Sequence, residues 1–119
     1  MGGDRGPEEV VAGALEAAAD GIVPLLYGPA SLDTRGLGHV VAEQVIEMDD
    51  KPAEAVRGKP DSSLVAACRA VGEGRADAVV SAGNTGAMLA AGLLEIRRLP
   101  GVMRPAIAVP IPARDGPSV

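Results

Sequence analysis

The chain has 119 residues, enough for one domain of ordinary size, and 47% of them are hydrophobic, which places it among globular proteins. A net charge of −5, with one Tyr and neither Phe nor Trp, argues against a nucleic-acid partner held by phosphate contacts or base stacking. No run of about 18 apolar residues exists to cross a membrane, no basic-then-apolar leader opens the chain, and the single Cys68 excludes an internal disulfide or a multi-cysteine metal site.

The opening Met1-Gly2-Gly3-Asp4-Arg5-Gly6-Pro7 is glycine-rich and leads into a predicted helix over 8–20. Pro7 suits its first position, and Glu8 and Glu9 suit its positive end. Val10 or Val11, Ala14, Leu15 and Ala18 form its buried stripe, and Gly21 stops it. Residues 22–27 read as a buried strand, with Pro24 marking a strand start or an edge. Residues 28–38 form a turn with room for a short helix, and 39–42 are a candidate third strand. Two glycines before a helix with no strand ahead of them are unusual in an α/β protein, so a first strand is expected upstream.

Residues 43–60 carry Glu47-Met48-Asp49-Asp50-Lys51-Pro52 and a short helical piece ending at Arg57. Such a run of carboxylates and a lysine serves either as a metal or general-base site or, more often, as a solvated loop. Asp61 or Ser62 caps a helix to about Gly72, with Leu64, Ala67, Cys68 and Val71 toward the core. Gly72 and Gly74 end it. With 21 Ala in the chain, the core is built from small side chains.

The pattern centres on residues 77–85, Asp-Ala-Val-Val-Ser-Ala-Gly-Asn-Thr. Ala78, Val79 and Val80 read as a strand covered on both faces. It runs through a glycine turn into a helix over 87–98, capped by Asn84 or Thr85. Gly83 and Gly86 remove Cβ where the backbone bends or a ligand closes in. A helix start at the carboxyl end of a parallel strand favours an anion, so Ser81, Gly83, Asn84, Thr85 and Gly86 are candidates for holding phosphate. The local pattern is more often that of a packing turn, and it matches neither a nucleotide P-loop nor the dinucleotide fingerprint. Residues 1–54 carry 11 acids and 3 bases, while 55–119 carry 5 acids and 8 bases, so the corner lies in the more basic half. The helix after it is apolar on nearly every side through Leu94, which predicts burial on more than one face. Arg97 and Arg98 suit its negative end, and 106–111 read as a last strand. Alternating strands and helices imply an α/β/α sandwich with a mostly parallel sheet, interrupted at both ends.

Three segments in this order and spacing resemble the bacterial phosphate acyltransferase of phospholipid synthesis: Met1-Gly2-Gly3-Asp4 with Pro7, Glu47-Met48-Asp49-Asp50-Lys51-Pro52 with Asp61-Ser62-Ser63, and Ser81-Ala82-Gly83-Asn84-Thr85-Gly86-Ala87. Leu99-Pro100-Gly101 and Arg104-Pro105-Ala106 add to it. Members of that family begin with a further strand and continue into a second lobe, so the chain resembles an N-terminal fragment forming part of one domain. The resemblance implies the fold of the isocitrate dehydrogenase and phosphotransacetylase group. It also implies a reaction in which inorganic phosphate displaces acyl carrier protein from a long-chain acyl thioester, giving acyl phosphate.

The same resemblance implies inorganic phosphate and acyl carrier protein as partners and no cofactor or metal. It further implies a homodimer; the lack of a basic-then-apolar opening favours a cytoplasmic location, with room for peripheral association at the inner face of the membrane. It points to Asn84, Lys51 and Asp4 as catalytic candidates, and to Gly2, Gly3, Ser81, Gly83, Asn84, Thr85, Gly86, Ser62 and Ser63 for substrate or phosphate. Asp4 either orients the first loop or contacts substrate; Ser62 and Ser63 read first as helix caps, a role compatible with ligand binding. Ser81 lacks the nucleophile-elbow sequence, Cys68 reads as core, and His39 as packing or surface. A phosphotransacetylase-like acyltransferase and a non-catalytic fragment are the alternatives.

Overall fold

The computed structural model describes residues 6–108. Helix α1, Pro7–Ala19, begins at a proline that needs no N–H partner and carries Glu8 and Glu9 in its first turn. It ends through Asp20 into Gly21, whose φ of +88° is open to glycine at little cost. Of its expected stripe only Val11 is fully buried, and Val10 is exposed.

Strand β1, Leu25–Gly28, pairs in parallel with β2, Gly38–Val41, in the register Leu25↔Gly38 through Gly28↔Val41. The expected strand from Ile22 is therefore shorter. Pro24 offers no ladder donor, and Ile22 and Val23 are exposed, Val23 by 93%. Residues 29–37 join the two parallel strands by turns alone, with no helix.

Helix α2, Pro52–Gly58, again starts on a proline. Helix α3, Ser63–Gly72, is capped by the buried Ser62, whose Oγ accepts a long bond from the Val65 N–H at 3.5 Å. An isolated parallel bridge between Gln44 and Ser62 ties the start of α3 to the chain leaving β2. The buried residues of α3 are Leu64, Val65, Cys68 and Ala70; of the expected set, Ala67 and Val71 are only half-buried.

Helix α4, Thr85–Ala91, starts two residues earlier than expected and passes into a π-helical turn over Gly92–Ile96, not a regular helix to Arg98. Arg97, at φ +74°, ends it, and Arg98 turns away to donate to the Met103 carbonyl. Ala87 and Ala91 are fully buried, as the small-residue pattern requires, but Leu94 is exposed. The principal core gathers Val56 of α2, Leu64, Val65 and Cys68 of α3, and Ala87 and Ala91 of α4. At the far end of α3 a Cβ on Gly72 would fall on the Glu95 carbonyl, so glycine there lets the π-helical turn lie against the helix.

One expected strand is corrected, and a second falls only partly within the described residues. Residues 78–80 join no ladder: Val79 packs against the core while Val80 is 97% exposed. The alternation of a strand is present without a hydrogen-bonded neighbour among the described residues. Residues 106–108 likewise form no strand, and the rest of that expected strand lies outside the described residues. The architecture is thus α/β, with a small parallel sheet of two strands and four α-helices among the described residues. None of those helices is long and apolar enough to cross a membrane.

Candidate functional site

The glycine corner and the acidic loop, far apart in sequence, meet through one side chain. Asn84 is the N-cap of α4, and its Oδ1 accepts the Ala87 N–H at 3.0 Å. Its Nδ2 donates to the carbonyls of Glu47 at 3.1 Å, Met48 at 3.2 Å and Asp50 at 3.2 Å. The orientation of the carboxamide is dictated by these neighbours, since the flipped amide would set its oxygen against three carbonyls and its NH2 against an N–H. Asn84 is 6% exposed, and both polar atoms of its side chain are paired.

Gly86 makes the second contact between the same two segments. Its φ is not in the left-handed region, yet a Cβ there would lie 2.6 Å from Pro52 Cγ and 3.2 Å from Pro52 Cβ. Glycine is required at 86 because the Pro52 ring, the first residue of α2, rests on it. Gly83 differs: its φ is also ordinary, and a Cβ would meet only Ser81 Oγ at 3.4 Å. Ser81 is exposed, and its Oγ accepts the Gly83 N–H at 3.2 Å, folding the corner on itself. Thr85 is exposed at the first position of α4.

The acidic loop is closed on its other side by charge. The Asp50 carboxylate accepts from Lys59 Nζ and from the Glu47 N–H at 2.9 Å. The Lys59 hydrogen bond first, then the Glu47 amide, hold the Asp50 carboxyl below its ordinary 3.8. Lys51, by contrast, is nearly free. Its Nζ stands 3.5 Å from Glu54 Oε1, with both side chains more than three-quarters exposed, and such a pair holds little. Asp49, Asp50, Lys51, Glu54 and Lys59 line an open depression beside this loop.

The structure therefore joins Asn84, Gly86 and the 47–52 segment. Ser62 and Ser63 lie elsewhere: Ser62 caps α3, the Ser63 N–H donates to the Gln44 carbonyl, and no hydrogen bond among the described residues links either to the corner. Gly2, Gly3 and Asp4 lie outside the described residues. The Cys68 thiol is fully buried, 3.9 Å from Met88 Sδ, and desolvation and then the Glu95 carboxylate push it up to about 11; it is a core residue. His39 Nε2 is 3.2 Å from the Gly28 carbonyl, beside the sheet. Among the described residues no cluster of three or more His, Cys, Asp or Glu is arranged to hold a metal ion. Sequence reasoning missed Lys59 and the Pro52 contact; Lys59 pairs with Asp50 nine residues away, outside any local motif.

The start of α4 thus lies against a loop that carries the exposed Lys51. The model of the family described as "Fatty acid synthesis protein" matches residues 1–119, and the chain belongs to that family. It is 47% identical to a phosphate acyltransferase of Heliobacterium modesticaldum over 128 residues, covering 98% of this chain and 38% of the relative. Phosphate acyltransferases of Geobacillus thermodenitrificans and Streptococcus equi subsp. zooepidemicus are 44% and 46% identical, again over 98% of this chain. The chain spans less than two-fifths of the length of these curated relatives.

Proposed function

We propose that the chain supplies the phosphate-handling part of an acyltransferase that moves a long-chain acyl group from acyl carrier protein to inorganic phosphate. A phosphate oxygen attacks the thioester carbonyl, the C–O bond forms, the C–S bond breaks, and the thiolate leaves on the carrier protein. Phosphate is itself the nucleophile, so no side chain need be acylated. The protein's tasks are to place phosphate beside the thioester and to stabilise the oxyanion.

The observation that carries this reading is the meeting of the two motif segments, Glu47–Pro52 and Ser81–Ala87, through Asn84 and Gly86, in a chain close in sequence to enzymes named phosphate acyltransferase. Within it, Ser81, Thr85 and the first-turn amides of Thr85 and Gly86, which lack an i−4 partner inside the helix, are the groups offered to phosphate. Lys51 is the cation offered to the developing negative charge. Gly2, Gly3 and Asp4 complete the site in this reading. The wider setting we infer is one α/β/α domain of the isocitrate dehydrogenase and phosphotransacetylase type, of which residues 1–119 form a part. That domain acts as a cytoplasmic homodimer, with room for contact with the inner membrane surface.

The test is to follow thiol release from palmitoyl-acyl carrier protein by the intact protein, with and without phosphate, trapping acyl phosphate as the hydroxamate. Phosphate-dependent thiol release matched by hydroxamate is the expected result. Acyl transfer from acetyl-coenzyme A alone, or thiol release independent of phosphate, overturns the reading.

A further inference from the structure

We propose that Asn84 is a positioning residue and not a phosphate ligand: its carboxamide locks the 47–50 loop to the glycine corner and so fixes the backbone that presents Lys51. The inference rests on the acyl-transfer reading above and adds to it the residue through which the two motifs act together.

The case begins with hydrogen-bonding capacity. A carboxamide has two N–H donors and one acceptor oxygen. At Asn84 the oxygen serves the Ala87 N–H, and the two donors are shared among the carbonyls of Glu47, Met48 and Asp50. Both donors are thus spent inside the protein, and the residue is 6% exposed. Binding phosphate would require stripping the carbonyls of their partner, leaving buried acceptors unpaired.

The Asp50 carbonyl belongs to the peptide that leads into Lys51, so the bond from Asn84 acts one bond away from the Lys51 backbone. Pro52, on the other side of Lys51, is seated on Gly86. Lys59 and the Glu47 N–H hold the Asp50 carboxylate from the outer side. Lys51 is therefore bracketed by fixed neighbours, while its side chain stays 79% exposed with its ammonium 3.5 Å from Glu54 Oε1. An exposed cation on a restrained backbone is what charge stabilisation without reorganisation calls for.

The experiment uses the intact protein carrying Asn84→Ser or Asn84→Asp. Serine, aspartate and asparagine cap helices about equally well, so α4 keeps its cap in all three. Serine is too short to span to the loop carbonyls, and aspartate turns an acceptor oxygen on them. We expect kcat/KM for phosphate to fall about tenfold in Asn84→Ser and further in Asn84→Asp. Amides of residues 47–51 should exchange faster while those of 88–91 stay protected. In a Lys51→Ala background, Asn84→Ser should add little further loss, because the two residues act as one unit.

Unchanged exchange at 47–51 in Asn84→Ser overturns the lock. Equal turnover of the Asn, Ser and Asp forms, or a full independent loss in the Lys51→Ala background, overturns the action through Lys51. A wild-type protein with no phosphate-dependent turnover would defeat the acyl-transfer reading instead, and the exchange measurement would still decide whether the loop is held by Asn84.

Discussion

Pro52 occupies the space that a side chain on Gly86 would need: a Cβ at 86 would stand 2.6 Å from Pro52 Cγ. Gly83, three residues earlier in the same corner, faces nothing closer than Ser81 Oγ at 3.4 Å. The two glycines of the motif therefore have separable duties. Gly86→Ala should push α2 off α4 and destabilise the protein by about 1–3 kcal/mol, read as a lowered denaturant midpoint. Gly83→Ala should leave the midpoint within about 0.5 kcal/mol. If Gly83→Ala nonetheless weakens phosphate dependence, the Cβ is blocking a ligand. Equal destabilisation at both positions would contradict this division.

A second pair of glycines separates close packing from helix propensity. Gly72→Ala places a Cβ on the Glu95 carbonyl and should cost about 1–3 kcal/mol as the π-helical turn is forced from α3. Gly92→Ala meets nothing within 4 Å, at an ordinary helical φ of −57°, and should stabilise by about 0.5–1 kcal/mol. Melting temperatures of the two variants should move in opposite directions.

The paired Asp50 carboxylate makes the acidic loop sensitive to acid. Its folded pKa lies below its ordinary value, so the folded state is favoured at all pH above about 3.8, and that contribution fades as pH falls through the folded pKa. Asp50→Asn and Lys59→Met should each flatten the acid side of the curve of urea midpoint against pH. The loss should set in as the pH falls below the ordinary carboxyl value of 3.8. An acid limb in Asp50→Asn as steep as in the wild type would show that the pair is not linked to folding.

Cys68 should be chemically silent in the folded protein. With its thiol fully buried and raised to about 11, the thiolate fraction at pH 8 is about 0.1%. Iodoacetamide at that pH should leave the native chain unmodified and label it completely in urea. Rapid labelling without denaturant would mean that α3 separates from α4 easily.

Local chemistry made most helix ends legible. Pro7 and Pro52 mark starts because a proline lacks the amide that a first turn leaves unpaired, and Ser62 and Asn84 mark starts because their side chains accept a first-turn N–H. Gly21 marks an end through its positive φ. What failed was whatever depended on a neighbour. The apolar run 78–80 carries the alternation of a strand, with Val79 inward and Val80 outward, but no local pattern says whether a second strand lies beside it. The helix from Thr85 was legible as a helix, whereas its change to π geometry at Gly92, in a turn that lies against Gly72 far upstream, has no local signal.

The candidate site divides along the same line. The residue types of the corner and the acidic loop stood out singly, and their joint resemblance to one family was readable. Their contact was not, because a side-chain amide reaching carbonyls in a distant loop leaves no periodicity and no spacing rule. Lys59 escaped notice for that reason too, as an ordinary lysine before Pro60 until Asp50 is seen beside it.

The bonds from Asn84 span 34 to 37 residues of chain, and that span has a kinetic meaning. The cap bond to Ala87 can form as soon as the corner is made, but the other three must wait for the intervening segment, with α2 and α3, to fold back. The corner can thus become helical early while the acidic loop settles late. In the finished protein the order reverses: α2 cannot lift from α4 without releasing the loop. The stretch from Glu47 to Gly58 should open and close with the start of α4 as a single cooperative unit, seen as a shared opening free energy in native-state exchange.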